Sequence, residues 1–122
     1  GYRFATAIHP GATVSPFAKI GGGSILNAGA VLQPKAVIGR HVMVHANVVV
    51  DHDSIVGDFA NLAPGCTLAG HVHVGRMAYV YTGAVVGPNL RIGDRCEIGA
   101  GAVVLKDVPK GWRIAGNPAK RI

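Results

Sequence analysis

Charge, aromatic side chains and cysteine are all scarce in this sequence. Charged residues make up 15% of the 122 residues and aromatic residues 6%, whereas apolar residues make up 49%. Disordered chains are poor in apolar residues, so this composition argues against disorder and favours one folded domain. There are two cysteines, neither in a CxxC pattern, and no recognisable signal peptide or membrane span. We therefore expect a reduced, cytoplasmic protein.

The basic residues form no cluster until the C-terminal tail. The net charge is +6, but Lys and Arg are scattered singly and are not interleaved with aromatic residues. RNA-binding surfaces usually combine the two. We expect neither a nucleic-acid partner nor membrane insertion. The positive charge fits two interpretations, which are a site for a phosphate-bearing ligand and a basic surface that contacts only solvent.

Glycine, by contrast, is abundant, and the chain repeats every six residues. The 18 glycines suit a fold of many short strands and tight corners. From residue 8 to residue 104, every sixth residue is aliphatic. These seventeen positions are Ile8, Val14, Ile20, Leu26, Leu32, Ile38, Val44, Val50, Val56, Leu62, Leu68, Val74, Val80, Val86, Ile92, Ile98 and Val104. A repeat of this length and regularity predicts a solenoid.

A second series, two residues before each aliphatic, is made of mostly small residues. It runs from Ala12 through Ser24, Ser54 and Cys66 to Ala102. Residues two apart on a strand face the same side. Each hexad is therefore predicted to be a short strand with one large and one small inward side chain.

Two further columns repeat every eighteen residues, so three hexads make one coil. The first is Gly11, Gly29, Asn47, Gly65, Gly83 and Gly101, and the second is Gly21, Gly39, Gly57, Gly75 and Gly93. Gly and Asn tolerate the left-handed backbone region that a sharp corner needs. The sequence thus predicts an all-β, single-domain parallel β-helix over residues 1–105, a triangular prism of five to six coils, roughly 27 Å long at the usual strand spacing. Residues 106–122 are predicted to cap one end.

The repeat also predicts the positions of both cysteines in the fold. Cys66 and Cys96 occupy the small inward position, thirty residues apart, so they lie on different faces. We expect buried, unpaired and unreactive thiols, because reactive ones need exposure and a charged neighbourhood.

The candidate site is a departure from the repeat. One corner column reads Pro16, Pro34, His52, Gly70 and Pro88, so a titratable ring replaces proline beside a position that has no side chain. Asp51 and Asp53 flank His52. A histidine oriented by a carboxylate is suited to general-base chemistry. The plainer alternative is an exposed corner histidine beside a turn aspartate. The other histidines are expected at the surface or at a subunit interface.

Several segments resemble one enzyme family. Residues 50–59 read VDHDSIVGDF, residues 62–70 read LAPGCTLAG, and the end carries GAGAVV, DVP and AGNPAK. Together with FAT and IHP near the start, they resemble hexapeptide-repeat sugar acetyltransferases. These are the sialic acid O-acetyltransferases and the bacillosamine-type nucleotide-aminosugar N-acetyltransferases. The likeness covers essentially the whole chain, although the family's usual N-terminal Rossmann-like region does not precede it.

The resemblance implies a left-handed coil, homotrimers with active sites between adjacent prisms, and acetyl-CoA as donor. It implies that His52 is the general base and that Asp53 polarises it. Many members carry a histidine near the acetyl group where this chain has Asn61. The remaining positions that the resemblance assigns to donor binding are Gly70, Ala100, Gly101, Asn117 and Pro118. No metal ligand is implied.

We therefore expect direct acetyl transfer from acetyl-CoA to an amine or hydroxyl of a sugar or nucleotide-sugar. One alternative is a non-catalytic trimeric scaffold or fragment. Another is a zinc hydratase of the γ-carbonic anhydrase type. It would use His9 and His45, but its third ligand would fall on Val50, which the repeat points inward.

Overall fold

The computed structural model describes residues 4–122, so the first three residues of the predicted 1–105 domain lie outside the described residues. Within this range the chain forms no helix, so there is no helix that could cross a membrane. The first nine strands are β1 (Ala7–Ile8), β2 (Thr13–Val14), β3 (Lys19–Ile20), β4 (Ile25–Leu26), β5 (Val31–Leu32), β6 (Val37–Ile38), β7 (Met43–Val44), β8 (Val49–Val50) and β9 (Ile55–Val56). The others are β10 (Asn61–Leu62), β11 (Thr67–Leu68), β12 (His73–Val74), β13 (Tyr79–Val80), β14 (Val85–Val86), β15 (Arg91–Ile92), β16 (Glu97–Ile98), β17 (Val103–Val104), β18 (Arg113–Ala115) and β19 (Lys120–Arg121).

Every third strand belongs to the same sheet. Sheet A has the order β1-β4-β7-β10-β13-β16-β18-β19, sheet B has β2-β5-β8-β11-β14-β17, and sheet C has β3-β6-β9-β12-β15. All pairings are parallel except that of β18 with β19, and along the coils each residue pairs with the one eighteen positions later, as Val49 does with Thr67. The fold is the predicted left-handed parallel β-helix of about six turns.

The aliphatic column forms the core, as predicted. From Leu26 to Val104 its members are at most 3% exposed. Burying one such side chain stabilises the fold by about 1.5–3 kcal/mol. The column is less buried in the first coil, where Ile8 is 48% exposed. At the other end, Val108 and Ile114 join the core and Trp112 packs against it.

The prism has three corners. Corner one leads from sheet A to sheet B, corner two from B to C, and corner three from C back to A. The glycine column of corner one is left-handed from Gly29 onward, but Gly11 is not, which corrects the prediction for the first coil. The Gly21 column of corner three has another cause, because a Cβ at Gly21 would clash with the carbonyl oxygen of Gly39. Glycine is needed there because successive coils touch.

Both cysteines are free and buried, at different corners. Burial raises the pKa of the Cys66 thiol from 9.0 to about 12. Burial also raises the pKa of Cys96, whose sulfur donates to the carbonyl oxygen of Pro109 at 3.0 Å. Thiols that stay protonated and covered are poor nucleophiles.

Candidate active site

His52 is an exposed ring at corner two, directly after strand β8. Its side chain is 52% exposed. Its backbone N–H donates to Oδ1 of Asp51 at 2.7 Å, which ties the turn together. The sequence alone left Asp51 without a role. In the structure, Asp51 fixes the backbone from which the candidate base projects.

Asp53 orients the His52 ring. Nδ1 of His52 lies 3.1 Å from Oδ2 of Asp53. Asp53 adopts a left-handed φ of 59°, which Asp accepts more readily than most residues, and its N–H donates to the carbonyl oxygen of Pro34 at 3.2 Å. Because a carboxylate can only accept, Nδ1 is the donor in this pair and Nε2 keeps its lone pair. The pair thus leaves Nε2 free to accept a proton.

Gly70 lies one coil further along the same corner, under the His52 ring. A Cβ at position 70 would be 2.6 Å from Nε2 of His52 and 2.7 Å from Cε1. Among residues 4–122, no acceptor in the chain takes the N–H of Gly70. In the other regular coils, the residue in this column is either proline, which has no N–H, or His52, whose N–H donates to Asp51. Gly70 therefore offers a free backbone donor beside the candidate base.

Ser54 shapes the turn that carries Gly70. Its hydroxyl is buried, donates to the carbonyl oxygen of Ala69 at 2.7 Å and accepts from the N–H of Val72 at 3.1 Å. In an ordinary turn of this prism, such as that from Gly57 to Ala60, those two backbone groups bond to each other. The sequence treated Ser54 only as a small inward residue. The feature of the sequence that could have indicated this role is a hydroxyl in a column of mostly apolar residues.

His71 is a third polar side chain at the site. It stacks after Asp53 in the left-handed column, with a φ of 58°. Its Nε2 lies 3.9 Å from Oδ2 of Asp53, and its ring meets the His52 ring edge to face with centroids 5.1 Å apart. Its place eighteen residues after Asp53 follows from the length of one coil, but the sequence predicted only a surface or interface role for the histidines other than His52.

The other predicted site residues lie elsewhere on the prism. Asn61 is on strand β10 of sheet A, the face opposite corner two, and its buried Oδ1 has no hydrogen-bond partner among the described residues. Ala100 and Gly101 are at corner one in the last regular coil. Asn117 and Pro118 are in the tail, where flanking backbone groups bond to Val103. One chain thus brings together His52, Asp53 and Gly70, and holds the remaining positions apart from them.

The arrangement required for the zinc hydratase is absent. His9 and His45 lie in one column of corner one, and Nδ1 of His9 accepts the N–H of Gly11 at 2.9 Å. Val50, at the place of the third ligand, is fully buried in the core. An aliphatic side chain has no donor atom for a metal, so these positions cannot form a three-histidine site.

The coil and its corners define the class of protein to which this chain belongs. The family model described as bacterial transferase hexapeptide (six repeats) matches residues 35–70 and 71–106. The chain is therefore a member of the bacterial transferase hexapeptide family. A search of the curated proteins gave no significant match.

More particularly, the chain is similar to solved sugar-acetyltransferase structures, as the sequence predicted. The acetyltransferase domain of PglB from Neisseria gonorrhoeae FA1090, in complex with acetyl coenzyme A, is 40% identical over 100% of this chain with a TM-score of 0.98. PerB from Caulobacter crescentus, in complex with CoA and GDP-perosamine, is 38% identical over the same span, also with a TM-score of 0.98. WeeI from Acinetobacter baumannii AYE is 34% identical over 96% of this chain with a TM-score of 0.85. The chain covers 60%, 59% and 55% of these three proteins, respectively.

Proposed function

We propose that this protein transfers an acetyl group from acetyl-CoA to an amine or hydroxyl of a sugar or nucleotide-sugar. The observation that carries the proposal is the His52–Asp53 pair, with Nε2 free and lying beside Gly70. The similar structures support the donor and the acceptor class, since PglB was solved with acetyl coenzyme A and PerB with CoA and GDP-perosamine.

The proposed reaction is direct transfer, with His52 as general base. The acceptor N–H or O–H would approach Nε2, which takes the proton as nitrogen or oxygen attacks the thioester carbonyl. The free N–H of Gly70 is suited to stabilise the oxyanion. The tetrahedral intermediate then collapses, and coenzyme A leaves as the thiol after receiving the proton. General-base assistance of this kind is worth about 10²–10⁴ in rate.

In the proposed complex, acetyl-CoA would extend beyond His52. In this proposal Ala100, Gly101, Asn117 and Pro118 contact the pantetheine arm, and Gly70 contacts the thioester. The backbone N–H of Ala100 has no acceptor among residues 4–122, and Ala100 is exposed, so it could bond an amide of that arm. We also place the reaction in the cytoplasm, where free thiols such as Cys66 and Cys96 stay reduced.

We propose a homotrimer, because Asn61 faces away from its own His52. In a triangular prism, sheet A is the face opposite corner two, so only another copy could bring Asn61 beside a His52 ring. Asn61 is only partly buried in the single chain, so its side chain lies at a surface that a neighbouring copy could cover. A closed ring of three prisms would repeat this contact at each interface.

Titration calorimetry with acetyl-CoA tests the proposal. Wild type, Gly70→Trp and Pro16→Trp are compared; Pro16 lies at the same corner three coils earlier and is exposed. We expect micromolar binding by wild type and Pro16→Trp, in the range typical of enzyme substrates, and none by Gly70→Trp. Binding lost only at position 70 would justify an acceptor screen with nucleotide-aminosugars.

The absence of acetyl-CoA binding by wild type would instead favour the non-catalytic scaffold. Binding that persists unchanged in Gly70→Trp would place the donor away from corner two. The role of His52 as the base would then be wrong.

A further inference from the structure

Three metal-ligating side chains converge at corner two. His52, Asp53 and His71 each offer one ligand atom, and these three atoms all lie within 4.8 Å of one another. Oδ2 of Asp53 is 3.1 Å from Nδ1 of His52 and 3.9 Å from Nε2 of His71. Two of the groups are on one turn, and His71 is on the next coil, so the stacking of the prism creates the cluster. We propose that these three residues bind a zinc-class transition-metal ion, and that the bound ion switches off the base.

The spacing is close to what a shared ion requires. Zinc bonds imidazole nitrogen and carboxylate oxygen at about 2.0–2.2 Å, so two ligands of a tetrahedral site lie about 3.3 Å apart. His52 and Asp53 are at 3.1 Å, and His71 and Asp53 are at 3.9 Å. The His71 side chain is 57% exposed and can rotate to close the remaining gap.

The ligand types select the metal class. Two imidazoles and one carboxylate suit Zn²⁺ and its neighbours in the transition series, whereas Mg²⁺ and Ca²⁺ prefer all-oxygen sites. Three protein ligands leave a fourth position for water. His52 and His71 are exposed and Asp53 is partly exposed, which leaves the site open to an ion from solution.

The consequence for the base follows from the chemistry of imidazole. In the metal-free site, Nδ1 of His52 carries the proton shared with Asp53 and Nε2 is free. A metal on Nδ1 takes that lone pair, so the neutral ring must carry its proton on Nε2. Nε2 then has no lone pair with which to accept a proton from an acceptor substrate. This part of the inference rests on the proposed acetyltransferase function, whereas metal binding itself does not.

Binding is tested on the full chain after treatment with a chelator and removal of the chelator. ZnCl₂ is titrated by calorimetry, and Co²⁺ is added in a parallel experiment because its visible absorption intensifies in a four-coordinate site. The variants are His71→Asn, chosen because Asn accepts the left-handed φ of 58°, and the control His73→Asn on strand β12, which removes a histidine outside the cluster.

We expect one zinc ion per chain for wild type and for His73→Asn, and binding weakened at least about tenfold in His71→Asn. Wild-type affinity in His71→Asn would overturn the site, and so would equal weakening in both variants. Thermal melting of each variant shows that the coil is intact. If the Co²⁺ absorption is lost in His71→Asn but retained in His73→Asn, that result also identifies His71 as a metal ligand.

Inhibition is tested separately, with each variant compared with its own metal-free rate. Zinc should inhibit wild type at the concentrations at which it binds, and His71→Asn should need at least about ten times more. Zinc that binds without lowering the rate would overturn the switch. If no preparation turns over any acceptor, the proposed function fails and the inhibitory role fails with it, while the calorimetry still decides the metal site.

Discussion

The ring of His52 lies in the space that a side chain at residue 70 would otherwise fill. A Cβ on Gly70 would be 2.6 Å from Nε2 of His52, closer than such atoms approach in folded proteins. The two residues hold the same place in successive coils, eighteen positions apart. The glycine therefore sets where the proposed base can lie, in addition to leaving its own N–H free.

Gly70→Ala is expected to displace the His52 ring while leaving the fold intact. Its φ lies outside the left-handed region, and the clash is with an exposed, movable ring, so the melting temperature should change little. The turnover rate should fall by at least about tenfold, because misplacing a general base removes part of its contribution. The control, Gly11→Ala, puts a Cβ 3.2 Å from the His9 ring at corner one and should leave the rate unchanged.

His52→Ala is expected to lower the rate by about 10²–10⁴, the usual contribution of a general base. The side chain is half exposed and no core residue depends on it, so circular dichroism and thermal unfolding should match wild type. Acetyl-CoA affinity, measured by calorimetry, should change much less than the rate. Turnover equal to that of wild type would refute the role assigned to His52.

Mixed oligomers test whether a site is shared between copies. His52→Ala and Asn61→Ala should each be impaired alone, because each removes one side of the proposed site. Co-expressed chains with distinguishable tags should regain activity, since some interfaces then combine an intact His52 with an intact Asn61. Mixtures no more active than the single variants, or a fully active Asn61→Ala, would contradict a site formed between copies.

Stability should fall in alkaline solution through Cys66. Burial raises the pKa of this thiol from 9.0 to about 12, so the folded state resists losing a proton that the unfolded chain releases. The stabilisation is complete below pH 9.0 and is lost as pH rises to about 12, with a slope of up to about 1.4 kcal/mol per pH unit. Denaturant unfolding across this range should show a shallower decline for Cys66→Ala, a substitution common in this column. If wild type and Cys66→Ala lose stability equally as the pH rises, the Cys66 thiol is not the cause.

The fold could be predicted from the sequence because each hexad repeats the same local rule. Strands β1–β17 all end on the predicted aliphatic column, and Cys66 and Cys96 are buried as the small column required. A period of six sets which residues face inward, and a period of eighteen sets which residues stack. Neither inference needs a long-range contact to be guessed.

Contacts between side chains of successive coils could not be predicted in the same way. The pattern put His71 beside Asp53, but not the ring orientation that points one nitrogen at the carboxylate. It put Ser54 inside the prism, but not its bonds to Ala69 and Val72. These contacts depend on rotamers and on distances of a few tenths of an ångström, which a repeat does not encode.

The hydroxyl of Ser54 joins two neighbouring coils through a side chain, in addition to their backbone pairing. Most turns of the prism close on their own backbone, so a coil could be duplicated or deleted by recombination without loss of internal bonding. The turn at Gly70 closes only through a side chain supplied eighteen residues before Val72. Ser24 bridges the turn from Gly39 to Val42 in the same way. Lengthening or shortening of the solenoid during evolution would thus be selected against between either pair of bridged coils, and tolerated elsewhere.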